Sequence, residues 1–94
     1  MADGKFYHVY LRPSINITPK EIEAKMNLAI DWFCYDSCNW IVYSTSDAHK
    51  LFARLKPLAA PDGYVFVIEV NPNNRNGFMK KALWTWLRKD RSTT

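Results

Sequence analysis

The apolar positions of this chain change rhythm several times, and each change marks an element. Lys5 to Leu11, KFYHVYL, is aromatic and β-branched and reads as a strand. Arg12-Pro13-Ser14 ends it, because proline has no N–H to give to a ladder. Thr18-Pro19-Lys20-Glu21 then has the form of a capping box with proline at the first helical position, flanked by Ile17 and Ile22 as a hydrophobic staple. Ile22, Met26, Ala29 and Ile30 follow helical spacing, so a helix is expected to about Ile30. Asp31 to Thr45 reads as two short strands about an Asp36-Ser37 turn, with Phe33 opposite Trp40 and Trp32 opposite Ile41. A one-residue slip there would exchange the faces of every side chain.

Ser46-Asp47 caps a second helix with Leu51, Phe52 and Leu55 as its apolar stripe, and Pro57 is expected to stop it. Pro61-Asp62-Gly63 is a turn. Tyr64 to Val70, YVFVIEV, is nearly all apolar and predicts a strand covered on both faces. Asn71 to Gly77 is a polar loop. Phe78 to Lys89 is expected to be helical, with Met79, Leu83, Trp86 and Leu87 on one face, and Ser92-Thr93-Thr94 is expected to fray. Strand, helix, strand, strand, helix, strand and a final helix predict an α+β, ferredoxin-like βαββαβ sandwich with an extra C-terminal helix. Residues 1–94 form a single domain, with residues 77–91 an appended basic helix. Both main helices would cover one sheet face. From the first strand the open face takes either Phe6, His8 and Tyr10 or Tyr7, Val9 and Leu11, and either set is apolar enough to want a partner.

Composition narrows the possibilities. A hydrophobic content of 48% excludes a disordered chain, and 15% aromatic residues suit a small core with rings to spare. No apolar run approaches the roughly 20 residues of a membrane span. Met1-Ala2-Asp3-Gly4-Lys5 has no signal pattern, so a cytoplasmic protein is expected. The net charge of +4 is uneven: residues 1–74 hold seven Lys/Arg and eight Asp/Glu, residues 75–94 six Lys/Arg and one Asp. The basic excess therefore points to a local surface.

Cys34 and Cys38 are too few for a structural zinc site, and two small, mostly buried thiols is the plainer reading. Asp3, His8, Asp36 and Glu69 are scattered candidates for a metal site but make no dense cluster, so no metal and no cofactor is expected. Cys34, Cys38 and His8 would need to meet across strands to make a nucleophile, and no orienting residue is evident. No GxGxxG or GxxxxGK[ST] loop is present.

Trp32-Phe33-Cys34-Tyr35-Asp36-Ser37-Cys38-Asn39-Trp40-Ile41-Val42 resembles a segment of small bacterial SinR-like proteins, which are similar to the CRISPR adaptation small subunit and to VapD-type toxins. The similarity continues through Leu55-Lys56-Pro57-Leu58, Phe66 to Val70, Gly77-Phe78-Met79 and Trp84 to Leu87, over about residues 30–89. It implies a ferredoxin-like fold and homodimers with their open sheet faces packed together. Some of those relatives are metal-dependent nucleases with a carboxylate at the end of the first strand. Val9-Tyr10-Leu11-Arg12-Pro13 has none there, and an arginine repels a divalent cation.

The leading expectation is a non-catalytic, dimeric protein associated with nucleic acid or a nucleic-acid machine, with Arg75, Lys80, Lys81, Arg88 and Arg91 contacting phosphates and Trp84 stacking. Phe6, His8, Tyr10 and Trp40 are the expected dimer face. The alternatives are a metal-dependent endoribonuclease of toxin type and a pure protein-interaction module. The strands lack the Gly-aromatic pattern of RNA-recognition sheets.

Overall fold

Which alternate residues of the first strand face the core decides the layout, and a computed structural model, describing residues 4–89 and 91, shows it. In β1 (Lys5–Arg12), Tyr7, Val9 and Leu11 are buried, while Phe6, His8 and Tyr10 on the other face are only half-buried. β1 is central: it pairs antiparallel with β3 (Asn39–Ser44) on one side and with β4 (Tyr64–Val70) on the other. β2 (Asp31–Asp36) pairs antiparallel with β3, giving the order β2-β3-β1-β4. The fold is α+β, a four-stranded antiparallel sheet with three helices among the described residues.

The expected capping box forms. Thr18 N–H donates to Glu21 Oε2 at 2.7 Å, and Glu21 N–H donates to Thr18 Oγ1 at 3.3 Å. It starts α1 (Pro19–Met26), which ends four residues before Ile30. Asn27 takes the C-cap and accepts from Trp32 Nε1 at 2.8 Å, while the Ile30 N–H already donates to Tyr43 O at 3.0 Å in the sheet.

α2 (Ala48–Ala59) starts at Asp47, whose Oδ1 accepts from Lys50 N–H at 2.8 Å. Pro57 does not stop it. Its ring faces solvent, and one more turn buries Leu58 and Ala59, so tertiary burial overrides the local preference. The stripe is Leu51, Leu55, Leu58 and Ala59, with Phe52 exposed beneath Lys56. In the turn that follows, a Cβ on Gly63 would lie 2.1 Å from Arg12 O, a space only glycine fits.

The β2–β3 hairpin is displaced by one residue from the expected register. Its loop is Ser37-Cys38, with Cys38 at φ 68°, and the ladder is irregular between Cys34 and Asp36. Phe33 therefore pairs with Ile41, and Trp32 with Val42. Trp40 lies beside Val9, on the helix-covered face, with its ring 5.0 Å from that of Trp32. It does not share a face with Phe6, His8 and Tyr10, which removes it from the expected dimer face.

α1 and α2 close the core over Val9, Leu11 and Val42 with Met26, Leu55, Leu58 and Ala59. β4 is an edge strand covered on one face only, contrary to expectation. Val65 and Val67 pack on the core, while Tyr64, Phe66 and Ile68 are 64%, 57% and 47% exposed. The final helix is also shorter than expected, α3 (Lys81–Leu87), since Lys80 at its start has no capping oxygen and Phe78 is fully exposed. Ser92-Thr93-Thr94 and Asp3 lie outside the described residues. No helix among the described residues is long and apolar enough to cross a membrane.

Leu55→Ala should lower the unfolding free energy by about 2–5 kcal/mol in urea titration. Ile15→Ala should change it by no more than about 0.5 kcal/mol, as an exposed position does.

Candidate functional site

α3 lies on the sheet face that α1 and α2 leave bare. Leu83 and Trp86 are buried there, and the Trp86 ring is 6.0 Å from both Phe6 and Phe33. Phe6 in turn stacks 4.8 Å from Tyr43. The Arg91 guanidinium is 4.3 Å from the Trp86 ring, 5.2 Å from Phe6 and 5.4 Å from Tyr43. Its Nη2 donates to Trp86 O at 2.8 Å and is 3.4 Å from Asp31 Oδ2, which also accepts from Lys89 Nζ at 3.0 Å. With its side chain 8% exposed, Arg91 is part of the packing and not a phosphate contact, a correction to the expected basic surface. Burial pushes the Asp31 carboxyl up, but the Lys89 ammonium and the Trp32 backbone N–H outweigh it and hold it below the usual range.

Among the described residues, nothing covers the rest of this face. Tyr10 pairs with Phe66, His8 with Ile68, and Arg12 with Tyr64, so their side chains form one surface across β1 and β4. The Arg12 guanidinium lies 4.6 Å from the Tyr64 ring and donates to Asp62 O at 3.0 Å. Ser14 Oγ donates to the Asp62 carboxylate, the main reason that carboxyl titrates low. His8 Nε2 is 2.6 Å from Tyr35 Oη. Burial lowers the His8 pKa and raises that of Tyr35, so a neutral imidazole and a neutral phenol share this hydrogen bond.

In α3 and the segment flanking it, Arg75, Lys80, Lys81 and Arg88 are exposed, with Arg75 Nη1 donating to Pro72 O at 3.0 Å. Lys81 and Lys89 rim an apolar groove of about 620 Å³ floored by Phe33, Ala82 and Trp86. Trp84 is half-buried, its ring closed on one side by Gly77, so it is not the free stacking surface expected.

The scattered chemical candidates do not converge. Asp36 is at the hairpin end of β2, while Glu69 pairs with Tyr7 toward the other end of the sheet and lies 3.9 Å from Lys5 Nζ. Among the described residues no group of three or more His, Cys, Asp or Glu is placed to hold a metal ion. Cys34 pairs with Trp40 on the face opposite His8, and burial raises its pKa, so it is a thiol without a base.

Sequence reasoning did not single out Arg12, Tyr64, Phe66 or Ile68 for this surface. A signal was present: in YVFVIEV the larger Tyr, Phe and Ile alternate with Val, Val and Glu. Compared with known protein families, curated proteins and solved structures, the chain finds no match.

The depressed Asp31 pKa means that its clamp is fully present above the ordinary carboxylate range and is lost as pH falls through the lower folded value. Asp31→Asn should remove about 1–3 kcal/mol of protection from α3 amides in hydrogen exchange at pH 7. The acid-induced loss expected in the parent below about pH 4 should then be absent.

Proposed function

We propose that this is a cytoplasmic, non-catalytic domain of ferredoxin-like architecture that binds single-stranded nucleic acid on the uncovered half of its second sheet face. The order β4-β1-β3-β2, with a helix between β1 and β2 and another between β3 and β4, is what two split βαβ units produce. The observation that carries the binding reading is the exposed row of Tyr64 and Phe66 beside Tyr10, with Arg12 stacked at its end. Flat rings on a sheet take the faces of unpaired bases without regard to sequence, and arginine adds charge to the stack. Exposed Arg75, Lys80, Lys81 and Arg88, on and beside α3, supply cations for phosphates along a strand that continues past the aromatic row. The resemblance to SinR-like proteins over residues 30–89 points the same way.

Labelled oligo-dT and oligo-U, titrated at two salt concentrations, test this. Affinity should fall as salt rises, and Tyr64→Ala and Phe66→Ala should each cost roughly 5- to 150-fold, the value of about 1–3 kcal/mol per stacked base. Lys80→Glu with Lys81→Glu should lower affinity and flatten the salt dependence. Absence of binding at low salt, or affinity indifferent to Tyr64 and Phe66, overturns the reading. Cleavage of the strand that stops with a chelator would favour the nuclease alternative.

A further inference from the structure

The two edges of the sheet are not equivalent. β2 has an aspartate at each end and a ladder irregularity between Cys34 and Asp36, and α3 packs against it. Those are devices that keep an edge from pairing. β4 also has a helix on one face, α2, but it has no aspartate at its ends and no ladder irregularity: Tyr64–Val70 contains no proline, glycine or lysine, and Glu69 is its only charge. Its outer backbone groups form a row that an extended strand can extend, and its exposed side chains are apolar.

We infer that β4 is an assembly edge on which a second copy of this chain pairs, antiparallel and centred on Val67. β4 fits itself. In that register all seven residues pair, Phe66 meets Ile68 of the partner subunit, and Tyr64 meets Val70 of the partner subunit. Glu69 falls opposite Val65 of the partner subunit, so the two carboxylates do not face each other. A two-fold axis perpendicular to the sheet keeps like faces together, so the open surfaces of both copies join into one eight-stranded platform. A stable dimer buries about 800 Å² per partner, more than one ladder supplies. α2 packs on β4 from the other face and is brought beside its symmetry mate, which widens the contact. Because β2 is guarded, pairing closes at two copies and does not propagate into a fibre.

This inference does not rest on nucleic-acid binding, and its test contains none. Sedimentation of the full chain over a concentration series should give about twice the monomer mass. Phe66→Lys with Ile68→Lys places lysine opposite lysine and should shift the species to monomer, with the urea midpoint showing that the domain still folds. Phe66→Lys with Ile68→Glu places lysine opposite glutamate in this register and should restore the dimer. A parent chain that is monomeric throughout, or a dimer indifferent to the paired lysines, overturns the proposal. Failure of the Lys/Glu pair to restore association overturns the register.

Discussion

The sheet has two apolar faces, and the chain has helix enough for one of them and part of the other. α1 and α2 seal the face carrying Val9, Leu11 and Val42. The second face, with Phe6, Phe33 and Tyr43, has only α3 among the described helices. Seven helical residues span about 10 Å, whereas seven strand residues span about 23 Å. The shortfall leaves Tyr10, Tyr64, Phe66 and Ile68 without cover from the chain's own helices, and it makes this half of the sheet the place where function is sought.

A seven-residue helix does not hold itself together in water. It is held by its contacts: Trp86 against Phe6 and Phe33, and Arg91 layered over Trp86, Phe6 and Tyr43 with Asp31 as counter-ion. Part of the basic excess of the last twenty residues is therefore structural. Lys89 and Arg91 both serve the Asp31 carboxylate, which leaves Arg75, Lys80, Lys81 and Arg88 as the exposed cations of that segment not engaged with it. Charge concentrated at one end of a sequence marks an interface only after the cations used in packing are removed from it.

The order of elements and the start of α1 were legible in the sequence because local chemistry decides them: Thr18 and Glu21 satisfy each other's backbone, and β-branched runs fill strands. Face assignments were not. The hairpin register depends on Cys38 at positive φ and on the irregularity before Asp36, neither of which Asp36-Ser37-Cys38 announces, and one residue of slip carried Trp40 to the wrong face. Pro57 looked like a stop because the burial of Leu58 is a tertiary gain. YVFVIEV looked doubly covered because its edge position depends on strand order. Arg91 looked like a free cation because Asp31, its partner, is sixty residues away.

The central claim is that the half of the second face left bare by α3 is the functional surface. Backbone amide shift mapping by nuclear magnetic resonance, with a short single-stranded oligonucleotide added, tests it most directly. The account predicts perturbations concentrated in residues 8–12 and 64–68, with a weaker set at Lys80 and Lys81 on the rim. Perturbations confined to α1 and α2, or none at all, would contradict it.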